Sequence, residues 1–133
     1  MIPKFRAWHK TWDELGKVKR IRFDGEGNVT TVLFEGKFLG VNTPVDEIKL
    51  MQSTGLKDKN GKEIFEGDVL AFETDDEVIN VNVFWDEKHA LFMFESKKYN
   101  EQEPLAELVE DNIYPFEIIG NIYENPELLE DKE

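Results

Sequence analysis

The chain has 133 residues, with 16 Lys and Arg against 29 Asp and Glu, a formal net charge of −13. Ten Phe, three Trp and three Tyr are too many apolar rings for a disordered acidic chain, and 133 residues is the length of one ordinary folded domain rather than two full ones. The absence of cysteine excludes disulfides, thiolate catalysis and Cys-based zinc or iron–sulfur sites. No apolar run approaches the roughly 20 residues that span a bilayer, and the first ten residues lack a signal-peptide core, so a cytoplasmic protein without a membrane partner is expected.

Glycines at 16, 25, 27, 36, 40, 55 and 61 leave only short segments between them, which favours strands. Residues 18–23 and 29–34, on either side of Asp24-Gly25-Glu26-Gly27-Asn28, read as a hairpin, and Glu35-Gly36 turns into a third strand at 37–41. These make an N-terminal β-meander over residues 1–50. Residues 44–51 read either as a helical turn or as a linker. Asn60-Gly61, between Leu56 and Ile64, reads as a type I′ turn, because both residues tolerate positive φ.

Residues 69–72 then form a strand, followed by a turn at Thr74-Asp75-Asp76. Residues 78–85 follow with period two: Ile79, Val81, Val83 and Trp85 share one face. His89 to Phe94 is apolar on both faces and reads as a central strand. Residues 97–103 read as polar and exposed. Pro104 sits at the first position of a short helix with an apolar stripe at Leu105, Leu108 and Val109, and residues 114–123 form a last strand with Pro115 confined to its start. Asn125 caps a closing turn at 126–129, within an acidic tail over residues 125–133.

Chemistry-bearing motifs fail one by one. His9 and His89 stand 80 residues apart in no ligand-spaced motif. The carboxylates at Glu73, Asp75, Asp76, Glu77, Asp86 and Glu87 fall in turns, where Asp is favoured without any ion. Asp58-Lys59-Asn60-Gly61 lacks the spacing of a calcium loop, and the glycine-rich phosphate loops and the serine nucleophile elbow are missing. The expectation is therefore no catalytic residue, no metal and no cofactor. The net charge disfavours nucleic acid as a partner, although Lys4, Arg6, Lys10, Lys17, Lys19, Arg20 and Arg22 make the first 22 residues basic. That asymmetry permits association between copies or docking to a basic host protein, and the overall acidity supports a second reading in which rows of carboxylates imitate DNA and inhibit a host nucleic-acid enzyme.

Three strings carry a resemblance: Ile2-Pro3-Lys4-Phe5-Arg6-Ala7-Trp8, the stretch from Met51 through Asp58-Lys59-Asn60-Gly61-Lys62 to Gly67-Asp68-Val69, and Phe116-Glu117-Ile118-Ile119-Gly120-Asn121-Ile122-Tyr123-Glu124-Asn125-Pro126 with Glu127-Leu128-Leu129. In this order the chain resembles the YopX family of bacteriophage and prophage proteins. The resemblance implies a β-rich fold with an SH3-like barrel in the C-terminal part and carries over no catalytic residue. The expected fold is thus mainly β, an N-terminal meander and an SH3-like barrel over residues 51–124, with one or two short helices. The expected function is that of a phage accessory protein, non-catalytic, binding an unidentified host or phage partner or itself. Small barrels bind on aromatic faces, and Trp85, Phe92, Phe94 and Tyr114 are the candidates for one here.

Overall fold

The computed structural model describes residues 4–35, 41–111 and 115–130. The chain divides into two compact units, Met1–Ser53 and Thr54–Glu133.

The first unit is built on strands β1 (Phe5–His9), β2 (Glu14–Phe23), β3 (Val29–Glu35), β4 (Val41–Pro44) and β5 (Ile48–Lys57), all antiparallel where they pair and ordered β4-β3-β2-β1-β5. The β2–β3 hairpin is the expected one. The expected third strand at 37–41 lies largely outside the described residues; the strand paired to β3 runs from Val41 to Pro44. At 44–51 a single 3-10 turn, Val45–Glu47, gives way to β5, so the helical-turn reading holds for three residues only. The basic, aromatic N-terminus is strand β1, held between β2 and β5. It reads poorly from sequence because its burial follows from pairing on both edges rather than from alternation. Ala7, Val32, Phe34 and Ile48 form the buried core of this unit, with Val18, Ile21 and Leu50 packed against it.

The last residues of β5 belong to the second unit, where β6 (Glu63–Phe65) lies beside that strand. The second sheet holds β7 (Asp68–Glu73), β8 (Val78–Asp86), β9 (Leu91–Ser96), β10 (Glu101–Pro104) and β11 (Phe116–Asn121), ordered β10-β9-β8-β7-β11, and helix α1 (Leu105–Asp111) follows β10 directly. Its core is Ile64, Leu70, Val81, Val83, Phe94, Leu105 and Phe116. The period-two reading of residues 78–85 places Val81 and Val83 in that core.

The architecture is mainly β, in two antiparallel sheets. The expected SH3-like closure is not seen among the described residues: the second sheet is open, with β10 and β11 at its edges. The reason lies at β11. The carbonyl of Phe116 accepts the Lys59 N–H at 3.2 Å, and the Ile118 N–H donates to Asp58 Oδ2 at 3.0 Å. A loop therefore satisfies the edge that barrel closure would pair with another strand.

That loop also corrects the turn at Asn60-Gly61. Gly61 has φ +78°, but Asn60 is not among the positive-φ residues, so this is not a type I′ turn. The Asp58 N–H donates to Lys62 O, the Gly61 N–H to Asp58 O, and Asp58 Oδ1 accepts from the N–H groups of Asn60 and Lys62. The β2–β3 turn repeats the arrangement, with Asp24 Oδ1 accepting from Glu26 and Asn28 and Gly27 at φ +86°. Both turns use an aspartate to satisfy two backbone donors and a glycine to occupy the left-handed position.

Asn125 does not cap the 3-10 turn Pro126–Leu129 through its side chain. Its Oδ1 reaches back to accept the Asn121 N–H at 3.3 Å, while Asn121 Oδ1 accepts from Tyr123 and Glu124.

Candidate functional site

The second unit carries a cleft of about 240 Å³ between the β7-β8-β9-β10 sheet and α1. Strand periodicity assembles it. Phe72 of β7 lies opposite Ile79 of β8, and two residues on from Ile79 the same face carries Val81. Across the β9–β10 pair, Phe94 lies opposite Glu103 and Ser96 opposite Glu101. Side chains directly opposite on an antiparallel pair share a face, so the two glutamates stand on the same side as Phe94 and the apolar floor.

Helix α1 supplies the remaining wall. Leu105 is fully buried in the core; Leu108, one turn on, lines the cleft, and Glu107 stands exposed at its rim. Phe72 and Phe94 meet edge-on in the floor, with centroids 6.5 Å apart. The four-residue turn between β9 and β10 brings Tyr99 to the mouth, with Asn100 at φ +52° and the Tyr99 N–H donating to Ser96 Oγ at 3.2 Å.

The rim is electrostatically uneven. Glu77 accepts hydrogen bonds from Lys98 Nζ at 2.8 Å and from the Tyr99 hydroxyl. These two donors, Lys98 first and Tyr99 second, hold the Glu77 carboxyl below the ordinary glutamate value, and Glu77 in turn raises the Tyr99 phenol. Glu101, Glu103 and Glu107 are exposed and have no ion-pair partner among the described residues. The cleft therefore offers an apolar floor beneath three uncompensated carboxylates. That arrangement fits an apolar group carried on a cationic body, because a cation can stay partly solvated at the rim while the apolar part leaves water.

The aromatic face expected from the sequence is divided by the fold. Phe94 is 8% exposed and belongs to the cleft floor. Trp85 is 40% exposed and meets Phe92 edge-on at 4.9 Å, its cross-strand partner at the other end of β8. Tyr114 lies outside the described residues. Residues 97–103 are exposed, as the sequence reads them, but their polar composition hides that Glu101–Pro104 form β10 and that Tyr99, Glu101 and Glu103 line the cleft. The signal available there was the alternation of Glu101 and Glu103 about Gln102.

The two histidines are structural in their surroundings. His9 is 1% exposed, stacks on Trp12 at 3.9 Å, and its Nδ1 accepts the N–H groups of Thr11 and Trp12, an arrangement that places the ring proton on Nε2. His89 Nδ1 lies 2.7 Å from Asp86 Oδ2 in an exposed turn. The carboxylates at 73–77 surround a turn organised by Thr74, whose Oγ1 accepts from the N–H groups of Asp76 and Glu77. Among the described residues no three His, Asp or Glu side chains converge as a metal ion would require, and no helix is long and apolar enough to cross a membrane.

Fold and cleft together define a mainly-β protein of two antiparallel sheets with an apolar-floored cleft over the second sheet. A family model described as YopX protein matches residues 4–130, and the chain belongs to the YopX family. Among solved structures it is similar to protein EF1440 from Enterococcus faecalis, at 30% identity and TM-score 0.73 over 98% of this chain and 99% of that one. Its fold is also that of protein yopX from Bacillus subtilis, at 20% identity and TM-score 0.63 over 98% of each chain. A comparison with curated proteins finds no match.

Proposed function

We propose that this protein is a non-catalytic accessory protein of a bacteriophage or prophage, acting in the bacterial cytoplasm by binding a partner through the cleft over β8, β9, β10 and α1. The observation that carries this reading is the apolar floor of Phe72, Ile79, Val81, Phe94 and Leu108 lying under the unpaired Glu101, Glu103 and Glu107. Such a cleft selects an aromatic or aliphatic side chain flanked by Lys or Arg, with burial supplying affinity and the carboxylates supplying register.

The test is calorimetric titration of the full-length protein with a short peptide alternating Arg and Phe, against a control peptide with Ser in place of Phe. Binding of the first alone, weakened about tenfold or more by Glu103→Lys or by Leu108→Lys, supports the reading. Equal binding of both peptides, unaffected by Leu108→Lys, favours the alternative of an acidic surface that imitates nucleic acid, since that role uses the carboxylates and not the floor.

A further inference from the structure

We propose that the occupant of the cleft is a second copy of this chain, whose β2–β3 hairpin inserts Phe23 between the rim carboxylates. The proposal rests on the binding-cleft reading above and adds the identity of the partner. Phe23 is 61% exposed, more than any other large apolar side chain among the described residues. The β2–β3 register shifts between Arg22 and Phe23, with Thr30 the unpaired residue on β3, and at this end of the hairpin Arg22 and Phe23 are both exposed. Exposure of a phenylalanine at a strand end, beside a cation, is unfavourable in a lone molecule and favourable if the ring is buried by association.

The charges complement the cleft. Residues 17–23 carry Lys17, Lys19, Arg20 and Arg22, all exposed, and no acid. Lys19 is engaged by Glu35 at 3.0 Å, which leaves Arg20 and Arg22 nearest the anchor. Asp24, the next residue, has its Oδ1 turned into its own loop by the N–H groups of Glu26 and Asn28. On the acceptor copy, Glu101, Glu103 and Glu107 stand over a cavity with room for one aromatic ring. Two copies of net charge −13 repel at long range, but at physiological salt that repulsion is screened beyond about 8 Å, whereas pairs inside the contact are not.

The two surfaces differ, so the contact is heterologous. Each copy bound through its cleft still presents a hairpin, and association propagates beyond two unless the rotation closes a ring. One hairpin end in one cleft is a small interface, below about 1,200 Å² in total, so it belongs with weak, concentration-dependent contacts.

Sedimentation velocity of the full chain, from about 10 μM to about 1 mM at physiological salt, tests this across the range of weak interfaces. The expected result is a mass that rises with concentration and falls back toward the monomer at about 1 M salt. A donor variant, Phe23→Ser with Arg22→Glu, and an acceptor variant, Glu103→Lys with Glu107→Lys, change only exposed side chains, and circular dichroism checks that both remain folded. Each alone stays monomeric. Mixed, the intact hairpin of one meets the intact cleft of the other, and they form a dimer that grows no further. A wild-type chain monomeric throughout, or association undiminished in both variants, overturns the proposal. The peptide titration separates the two readings: a monomeric wild type that binds the Arg-Phe peptide loses the self-copy occupant and keeps the cleft, and one that binds neither loses both.

Discussion

Asp58 Oδ2 accepts the backbone N–H of Ile118 at 3.0 Å across 60 residues of sequence, while its Oδ1 holds the N–H groups of Asn60 and Lys62 at 3.0 and 2.9 Å. One carboxylate, 7% exposed, thus fixes a turn and seals the edge of the last strand. Asp58→Asn keeps the size but aims amide hydrogens at one of these donors, and the expected loss is about 1–3 kcal/mol in urea unfolding followed by Trp85, the tryptophan of the second unit. Asp24→Asn in the matching exposed turn shifts the midpoint less.

The pH dependence of the same site has a definite sign. Burial pushes the Asp58 carboxyl up, but the N–H donors of Ile118, Lys62 and Asn60, with the Lys62 charge, outweigh it, and the net result lies below the ordinary 3.8. A depressed folded-state value contributes stability above the unfolded-state value and loses it as pH falls through the folded-state one. The gap between wild type and Asp58→Asn is therefore full at about pH 7 and closes below about pH 4, read from urea midpoints across that range. A gap that stays constant into strong acid contradicts the assignment.

Gly16 lies under Phe34. A Cβ there would sit 2.5 Å from the carbonyl oxygen of Glu35 and 2.6 Å from Phe34 Cζ, a backbone atom and a fully buried ring that cannot both retreat. Gly16→Ala is expected to cost about 1–3 kcal/mol by overpacking. Gly25→Ala, with nothing within 4 Å of its Cβ, should stay within about 0.5 kcal/mol of wild type. Thermal or urea midpoints of the two variants decide.

At Gly120 an added Cβ would fall on Asn125 Oδ1, with Leu128 Cδ1 3.0 Å away. Asn125 would have to release the Asn121 N–H, and the 3-10 turn docked on β8 through Asn80 Nδ2 to Leu128 O, at 2.9 Å, would shift with it. Gly120→Ala should destabilise the protein by about 1 kcal/mol or more and speed amide exchange at Asn125 and Leu128, leaving Val81 and Val83 protected. Uniform acceleration would show instead that the turn and the core open as one unit.

Tyr99→Phe removes one of the two donors to Glu77 at the cleft mouth. The Glu77 carboxyl should titrate higher in the variant than in wild type while staying below the ordinary glutamate value, because Lys98, the larger cause, remains. Carboxyl chemical shifts followed through acid titration measure this, and an unchanged Glu77 would mean that the tyrosine does not bind it in solution.

Local pattern carried much of the architecture. Alternation at Ile79, Val81 and Val83 and the Asp-and-Gly turns are signals within a few residues, and they lie where the sequence places them, whereas Pro104, expected at the first helical position, is the last residue of β10 and α1 begins at Leu105. The strings from Asp58 to Asp68 and from Gly120 to Asn125 marked the family, and their most distinctive residues turn out to hold backbone in place: Asp58 seals a strand edge, Asp68 Oδ2 accepts the Phe65 N–H at 2.8 Å, and Gly61 and Gly67 sit at positive φ.

By itself, then, the sequence determined the family, the mainly-β class, the positions of the Asp-and-Gly turns and the acidic balance, because each depends on residue type or on neighbours close along the chain. Tertiary structure decided that β1 is a paired interior strand, that the second sheet stays open, and that Glu101 and Glu103 stand over Phe72, Phe94 and Leu108 as a cleft. Those outcomes rest on contacts between residues tens of positions apart, Asp58 with Ile118 foremost, and period-two alternation says which residues share a face without saying what that face will meet.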